Sequence, residues 1–491
     1  MVETRPTASG PIARTTLLAL AGVGVVASLL YWFYWTPYGV DDQWITFRYA
    51  ENIAAGRGFV YNLGERVMGT STPLYTLVLA VAKLAGLPVP ITSWTIGYAA
   101  MITAIVLLFQ IVRRLHSDGA GFVAAALLAG GELFGRAATD GMETPLYIVL
   151  ILATFLLYLT GRELTAAVFA ALCLLTRLDG GAVGVVLMVV HLVTRRAVPW
   201  KAGLVYLAVA LPWFLFSLAY FDSLVPNSMI AKRLHSQHTI LWWMPKFLIR
   251  EPRTYLAVIG AIIALRAPAT RAGSLLLVVW ATIYALAFSL SGIHAYPWYR
   301  TPLLAVLAGG AGIGVMAIAS WLARPGRSRV GLAALVSGLA LVPDGTLVWR
   351  RVTGDEPDLN KLRFEAAVWM RDSLPAGVPI ATGGIGLVGY HTGRTIHDAM
   401  GLVTPKSMRY RGRLANPRAI AIPRFLRAVI EDYDPEYVFD LFWLPKSEDT
   451  PRFMQERYRV LRTWRLEDPS QPQFHLYQRL SKDSLGVGST Q

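Results

Sequence analysis

Long apolar runs separated by short polar loops fill the first 350 residues of the 491-residue chain. Such runs are typical of helices that cross a bilayer, because about 20 apolar residues span its hydrocarbon core. The pattern predicts a polytopic α-helical membrane protein with about 11 transmembrane helices and a transmembrane domain over residues 1–350. The predicted spans are 15–36, 94–112, 119–135, 145–160, 163–177, 179–194, 201–220, 254–266, 273–291, 301–322 and 330–348.

One apolar segment, Leu74–Leu87, is shorter than a span, and whether it crosses decides on which side every later loop lies. If the N-terminus is cytoplasmic and this segment does not cross, the basic loop clusters all fall on the cytoplasmic side, as the positive-inside rule requires. The clusters are Arg113/Arg114, Arg162, Arg195/Arg196/Lys201, Arg266/Arg271 and Arg324/Arg327/Arg329. We therefore predict that Leu74–Leu87 forms a helix lying in the membrane face.

The same alternation places the other polar segments together on the extracytoplasmic side. They are the first loop at 37–73, the later loops Gly135–Thr144, Phe221–Arg253 and Gly292–Arg300, and everything after about residue 350. The polar residues of interest are thus predicted to collect at one face of a cell (plasma or inner) membrane, which favours a shared site there.

From about residue 350 the composition changes to that of a soluble domain, in which helical patterns alternate with short β-prone runs. We predict a small extracytoplasmic α/β domain over 351–482 and a disordered tail over 483–491. Gly384, Gly386 and Gly389 follow its first strand with the spacing of a dinucleotide-binding loop. The acid that such loops require about 20 residues later is missing, so we interpret the motif as a tight turn from strand to helix.

Composition excludes several other classes of function. The chain is 54% hydrophobic with a net charge of +15, but its basic residues lie in loops between spans, where they report orientation, so no nucleic-acid partner is predicted. Cys173 is the only cysteine, which rules out a disulfide framework.

A zinc site is not predicted either, because His235 and His238 lack a third ligand. We predict no cofactor and no protein-bound metal, with a divalent ion that bridges carboxylates and phosphate as the open alternative.

Two adjacent carboxylates, Asp41 and Asp42, stand where the first span gives way to the first loop. The residues from Asp42 to Ala54 suit a helix, and Asp42 is placed to cap it. The competing interpretation is a solvated loop, but a cap does not explain the second acid. Because charge is costly at a membrane boundary, the pair predicts a functional site.

The segment VDDQWITFRYAENIAAGRGFVYNLGERVMGTSTPLY at 40–75 resembles the first extracytoplasmic loop of GT-C-type glycosyltransferases, which are polytopic enzymes that use polyprenyl-phosphate sugars. It is most similar to terminal arabinofuranosyltransferases of mycobacterial cell-wall synthesis. The resemblance continues in TDGMETPLY (139–147), TRLDGG (176–181), VPNSMIAKR (225–233) and GGIGLVGYHTGRTIHDAMGLV (383–403). It implies a GT-C-like fold, an acid in the first loop, and a contact from Lys232 to the donor.

Sugar transfer from a lipid phosphate needs a base for the acceptor hydroxyl and cations for the departing phosphate. Asp41 and Asp42 are the catalytic candidates, and Asp41 is preferred as base because Asp42 is expected to cap the helix. The candidates for binding the donor phosphate or sugar are Lys232, Arg300, Asn227, Tyr299 and Arg233. The alternative for the boundary Lys and Arg residues is snorkelling to lipid headgroups, and for the aromatic residues an interfacial belt.

A second acidic pair, Asp140 and Glu143, lies in the Gly135–Thr144 loop. We expect Asp140 in the site and Glu143 as a helix cap. Between two spans, Arg177 and Asp179 are predicted to form a structural ion pair. The candidates for binding the acceptor or sugar are Asp140, Glu143, Arg48 and Tyr49.

These features predict an inverting glycosyltransferase that moves an arabinofuranosyl group, or a hexose such as mannose, from a polyprenyl-phosphate donor to a glycan or glycolipid of the cell envelope. Its expected partners are that donor, that acceptor and membrane lipids. The alternative class is a transporter or flippase for lipid-linked sugars. Transporters show paired halves with interrupted helices, and the sequence shows no such symmetry.

Overall fold

A computed structural model describes residues 14–32, 36–235, 243–291, 293–294, 296–323, 328–352, 359–405, 421–441, 450–466 and 473–480. The predicted tail at 483–491 and His238 lie outside these residues.

The described part of the first 352 residues is built of helices joined by turns. They are α1 (Arg14–Trp32), α2 (Asp41–Ala54), α3 (Pro73–Leu84), α4 (Val89–Leu115), α5 (Asp118–Ala129), α6 (Glu132–Thr139), α7 (Thr144–Leu159), α8 (Glu163–Thr176), α9 (Gly181–Arg195), α10 (Trp200–Phe221), α11 (Asn227–His235), α12 (Trp243–Arg250), α13 (Pro252–Arg266), α14 (Pro268–Ser291), α15 (Pro297–Leu322), α16 (Arg329–Ala340) and α17 (Val342–Val352). A single 3₁₀ turn, Leu178–Gly180, joins α8 to α9.

Every predicted span coincides with one of these helices or with a bent pair of them. Among the described residues, five helices are long and apolar enough to cross a membrane, and up to seven if each bent pair is one span. The bent pairs are α5 with α6, at 59°, and α16 with α17, at 48°. The helical architecture is confirmed, while the number of 11 spans and the place of α3 in the membrane face stay predictions.

A buried ion cluster fixes both bends. The Asp344 carboxylate, on α17, accepts a 2.8 Å hydrogen bond from the backbone N–H of Glu132, and so caps the first turn of α6. Arg253 donates to the same carboxylate at 2.9 Å and also pairs with Glu251. Because a buried charge without a partner is strongly destabilising, these contacts make the two breaks fixed features of the fold.

The C-terminal domain has the predicted α/β character. Its described strands are β1 (Ile380–Thr382), β2 (Ile396–Asp398), β3 (Tyr437–Leu441), β4 (Tyr458–Arg465) and β5 (Gln473–Arg479), and its helices are α18 (Leu359–Ser373), α19 (Ile385–Thr392), α20 (Ala421–Tyr433) and α21 (Thr450–Arg457). The strand order is β2-β1-β3-β5-β4, with β1 parallel to β2 and β3, and β5 antiparallel to β3 and β4. The glycine motif forms the turn from β1 into α19, as predicted. The sequence did not predict β2, because its three residues include a histidine and an aspartate and do not form a β-prone run.

Candidate active site

A cavity of about 270 Å³ lies where the predicted extracytoplasmic segments meet. The first loop, the Gly135–Thr144 loop, α11, the start of α15 and the α/β domain all contribute to its wall, together with the turn between α8 and α9. The alternation of spans predicts that all of these segments lie on one side, and their meeting at one cavity agrees with that. Its lining includes Asp42, Thr46, Thr70, Thr72, Glu143, Arg177, Asp179, Lys232, Phe288, Trp298, Tyr299 and Leu402.

Asp42 and Lys232 form a salt bridge in this wall, with Lys232 Nζ 2.9 Å from Asp42 Oδ2. The first turn of α2 carries Asp42, and α11 carries Lys232. Burial alone would lower the pKa of Lys232, but Asp42 beside it raises that pKa above its ordinary value. The ammonium therefore stays charged, and the cavity presents a carboxylate and a cation side by side.

A more deeply buried ion cluster joins three lining residues. Arg177 lies between Glu143 and Asp179, with Nη1 3.2 Å from Glu143 Oε1 and Nε 3.0 Å from Asp179 Oδ1. Burial raises the pKa of Glu143, and the charge of Arg177 opposes the rise. The predicted ion pair between Arg177 and Asp179 is confirmed. Glu143 occupies the N-cap position of α7, as predicted, but its side chain pairs with Arg177 and makes no cap hydrogen bond.

Aromatic rings pack against both cations of the cavity. The Arg177 guanidinium lies 4.9 Å from the centre of the Tyr299 ring, and Lys232 Nζ lies 5.3 Å from the Trp298 ring. Tyr296 stacks on Trp298 with ring centres 4.8 Å apart. Because aromatic faces attract cations, these rings hold the two cations in place and add apolar surface to the wall.

Asp41 is not among the lining residues and binds the α/β domain instead. Its two carboxylate oxygens accept 3.0 Å hydrogen bonds from the backbone N–H groups of Gly386 and Leu387, in the first turn of α19. Arg363 Nη1 lies 3.6 Å from the same carboxylate. Because the N-terminus of a helix favours an anion, Asp41 fastens the first loop to the α/β domain.

The two acids therefore have different partners from those that the sequence suggests. Helix α2 begins at Asp41 and has Val40 in the N-cap position, without a side-chain cap. The prediction that Asp42 caps this helix is wrong, and the reason for preferring Asp41 as base is lost. With Asp41 committed to α19, Asp42 is the one of the two carboxylates that lines the cavity.

The glycine motif is explained by the same contact. A Cβ at Gly386 would clash with the backbone oxygen of Asp41, and a Cβ at Gly389 would clash with the hydroxyl of Tyr61. Glycine is therefore required where α19 packs on the first loop.

Gly386→Ala is expected to lower the free energy of unfolding by about 1–3 kcal/mol, because the backbone it meets cannot move aside. Thermal unfolding in detergent micelles measures this effect. Gly383→Ala is the matched control, since its Cβ would meet only Met400 Cγ at 3.8 Å. Equal stability losses in the two variants would contradict the close packing of α19 on the first loop.

Arg48 and Tyr49, predicted to bind the acceptor or sugar, support the first loop instead and do not line the cavity. Arg48 donates at 2.7–2.8 Å to three backbone carbonyls, two of them in the α/β domain. Tyr49 is fully buried, and its hydroxyl donates to the carbonyl of Val67 and accepts from the N–H of Gly69. Their hydrogen bonds to protein groups give them a structural role, and contact with an acceptor or sugar stays a prediction.

The remaining four predicted residues are not among those that line the cavity. Asn227 donates to two backbone carbonyls of the α/β domain, one of them at 3.0 Å. Arg233 is exposed on α11, and Arg300 lies 5.6 Å from the ring of Phe247. Asp140 follows the last residue of α6 and lies 3.8 Å from an arginine of that helix. Their contacts with donor or acceptor stay predictions.

Comparison with known proteins supports the resemblance seen in the sequence. A domain of unknown function, DUF8728, matches residues 355–477, which fall in the α/β domain. A terminal β-(1→2)-arabinofuranosyltransferase of Mycobacterium tuberculosis (strain ATCC 25618 / H37Rv) is 26% identical over an alignment of 234 residues that covers 43% of this chain. The match covers 37% of that protein, so this chain spans little more than a third of the length of the relative.

Two solved structures share the fold over nearly the whole chain. ArnT from Cupriavidus metallidurans, bound to undecaprenyl phosphate, has a TM-score of 0.63 at 14% identity, and the match covers 94% of this chain and 98% of that one. The oligosaccharyltransferase AglB from Archaeoglobus fulgidus, in complex with an inhibitory peptide and a dolichol-phosphate, has a TM-score of 0.56 at 12% identity, with 96% and 75% covered. The chain has the GT-C fold.

Within this GT-C fold, the sequence did not single out three threonines that line the cavity, Thr46, Thr70 and Thr72. The available signal is the string GTSTP at 69–73, in which small hydroxyl residues gather just before the proline that opens α3. Sequence reasoning passed over it because isolated Ser and Thr residues are ordinary in loops.

In the described part of the chain, no three His, Cys, Asp or Glu side chains form a group that could hold a metal ion. A divalent ion that joins carboxylate and substrate phosphate therefore stays a prediction of the sequence.

Proposed function

We propose that this protein is a membrane glycosyltransferase that moves a sugar from a polyprenyl-phosphate donor to a hydroxyl of a glycan or glycolipid acceptor. The observation that carries the proposal is the pairing of Asp42 with Lys232 in the wall of one cavity. General-base chemistry on a hydroxyl needs the carboxylate, and a departing phosphate needs the cation. The curated relative and the shared GT-C fold support this reading.

In the proposed reaction the acceptor oxygen attacks the anomeric carbon as the bond from that carbon to the phosphate oxygen breaks. Asp42 takes the proton of the acceptor hydroxyl, and the lipid phosphate leaves with the bonding electrons. Attack opposite the leaving group inverts the anomeric centre. Products are the glycosylated acceptor and the free polyprenyl phosphate, so atoms and charge balance.

Lys232 suits the leaving phosphate because its ammonium has three N–H donors and stays protonated. One donor is engaged by Asp42 in the structure. A phosphate oxygen that binds another donor would bring the leaving group next to the base, and charge-assisted hydrogen bonds of this kind are the strong ones.

The proposed donor is amphiphilic, and this fits the surroundings of the cavity. Part of its wall is apolar, with Phe288 from α14 and Ile293 near the aromatic residues of α15. ArnT is described with undecaprenyl phosphate bound, and AglB with a dolichol-phosphate. For this chain we propose a multi-pass place in the cell membrane, with the cavity and the α/β domain on the extracytoplasmic face, and an arabinofuranosyl or hexosyl group as the transferred sugar.

Product formation by purified protein in lipid nanodiscs tests the proposal. A panel of synthetic prenyl-phosphate sugars, arabinofuranosyl and mannosyl among them, is supplied with a panel of oligosaccharide acceptors, and products are read by mass spectrometry. We expect one donor to give a glycosylated acceptor and free prenyl phosphate. Movement of intact donor across proteoliposomes without any product would instead favour the transporter.

Lys232→Gln is expected to lower kcat/KM for the donor by about 10- to 100-fold, the worth of a hydrogen bond to a charged group. Steady-state rates at varied donor concentration measure it. Arg250→Gln is the control, because Arg250 is an exposed cation at the end of α12 and is not among the lining residues. A native response to donor in the Lys232 variant would remove Lys232 from the phosphate site.

A further inference from the structure

Three threonine hydroxyls form a patch in the cavity wall, here called the threonine patch (Thr46, Thr70 and Thr72). The hydroxyl of Thr46 lies 3.4 Å from each of the other two, which are 3.0 Å apart. All three side chains line the cavity, although each residue is more than nine-tenths buried. These hydroxyls therefore face the inside of the cavity and not bulk solvent.

The hydrogen bonding of Thr46 differs from that of ordinary helical threonines. Thr154 and Thr176 donate to the carbonyl one turn earlier, at 2.7 and 2.8 Å. Thr46 turns to Thr70 and Thr72 instead, at distances well beyond the roughly 2.7–2.8 Å of a good O–H···O bond. Thr70 and Thr72 bond each other at 3.0 Å, and Thr70 also accepts the N–H of Thr72 at 3.3 Å. The hydroxyl of Thr46 is the weakly bonded member, so it is available to a ligand hydroxyl.

The loop that carries Thr70 and Thr72 is held from three sides. Tyr49 binds its backbone through the phenol hydroxyl, and Asn227 donates its N–H to the carbonyl of Met68 at 2.8 Å. A Cβ at Gly69 would clash with the α/β domain. Rigid hydroxyls of this kind can discriminate between ligands, since they do not have to be ordered when a ligand binds.

Asp42 and Thr46 stand four residues apart on α2, which places them next to one another on the same helix face, with Cβ atoms about 6 Å apart. A ligand hydroxyl that gives its proton to Asp42 therefore has the threonine patch beside it. The three threonines bring no charge, so they match a neutral polyol, whereas Lys232 matches a phosphate.

We propose that the threonine patch binds the acceptor sugar through the hydroxyl next to the one that is glycosylated. The proposed function supplies the roles of acceptor and base on which this inference rests. The protein would then select acceptors that have a vicinal diol, with one hydroxyl at Asp42 and the neighbouring hydroxyl at the threonine patch.

The test is a cycle of two acceptors and two proteins. One acceptor is a methyl glycoside with the vicinal diol, and the other is its analogue without the neighbouring hydroxyl. For the native chain, loss of that hydroxyl is expected to raise the Kd for the acceptor, measured by isothermal titration, by about three- to tenfold. The kcat/KM for the acceptor should fall by a similar factor. Thr46→Val should weaken binding of the diol by a similar factor. It should hardly change binding of the deoxy analogue, because the hydrogen bond is already absent there.

Two variants separate binding from structure. Thr46→Ser keeps the hydroxyl and should bind the diol within about twofold of the native chain, while Thr154→Val removes a buried hydroxyl that lies outside the cavity lining and should leave binding unchanged. Additive losses in the binding cycle, or a change in the KM for the donor alone, would show that the threonine patch is not the acceptor subsite. Transfer by the native chain would still support the proposed function in that case. Non-additive binding without any transfer would instead keep the subsite and refute the proposed function.

Discussion

Protein that carries Asp42→Asn is expected to transfer sugar about 10²- to 10⁴-fold more slowly than the native chain, the range that a positioned general base contributes. The amide keeps the shape of the carboxylate in the first turn of α2 but cannot accept the acceptor's proton. Because Lys232 loses its partner at 2.9 Å in the same change, the rate is measured at saturating donor and acceptor. A fall in kcat under those conditions reports on the base.

Two acids serve as controls for this prediction. Asp372→Asn changes an exposed carboxylate on α18 and should leave the rate native. Asp41→Asn should lower the thermal stability but leave kcat close to the native value, because Asp41 binds the start of α19. A folded but inactive Asp41 variant beside a fully active Asp42 variant would return the role of base to Asp41, as the sequence suggests.

Arg177→Gln is expected to lower the free energy of unfolding by about 3–5 kcal/mol, which is typical when one partner of a buried ion cluster is removed. The substitution leaves Glu143 buried without a cation and removes the hydrogen bond from Arg177 to the carbonyl of Trp298. Chemical or thermal unfolding in micelles measures the loss. Arg371→Gln is the control, since its ion pair with Asp372 is exposed and exposed pairs contribute little.

The same variant should show a stronger pH dependence of stability than the native chain. Burial already raises the pKa of Glu143, and loss of Arg177 removes the charge that opposes this rise. A folded state with the higher pKa binds a proton more readily than the unfolded chain, so stability falls as the pH rises above the ordinary range of a glutamate pKa. The deficit is expected to shrink on acidification, and a deficit that stays constant would show that Glu143 is not the uncompensated charge.

The hydrophobic pattern predicted most of the fold because a helix that contacts lipid must be apolar along its length. It therefore located α4, α10, α14 and α15. The shortness of several runs indicated that two spans could be re-entrant or kinked, but it did not locate the bend between α5 and α6, because a bend in an apolar run leaves the run apolar. The carboxylate that caps α6 comes from Asp344, 212 residues further along the chain, and no local pattern signals such a partner.

The sequence placed Asp42, Glu143, Lys232 and Tyr299 in a shared site, and the structure brings these four to one cavity. It could not divide the work between the two adjacent aspartates. The N–H groups that occupy Asp41 belong to α19, about 345 residues away, and both acids look alike in the local sequence.

The docking of α19 on the first loop has a consequence for chimaeric enzymes. Asp41, which binds α19, and Asp42, which is proposed to react, are adjacent in the chain. The two domains therefore set the position of the reacting carboxylate jointly. Exchanging the α/β domain alone between GT-C proteins would leave Asp41 against a foreign surface. We expect functional hybrids only when the first loop and the α/β domain are transplanted together.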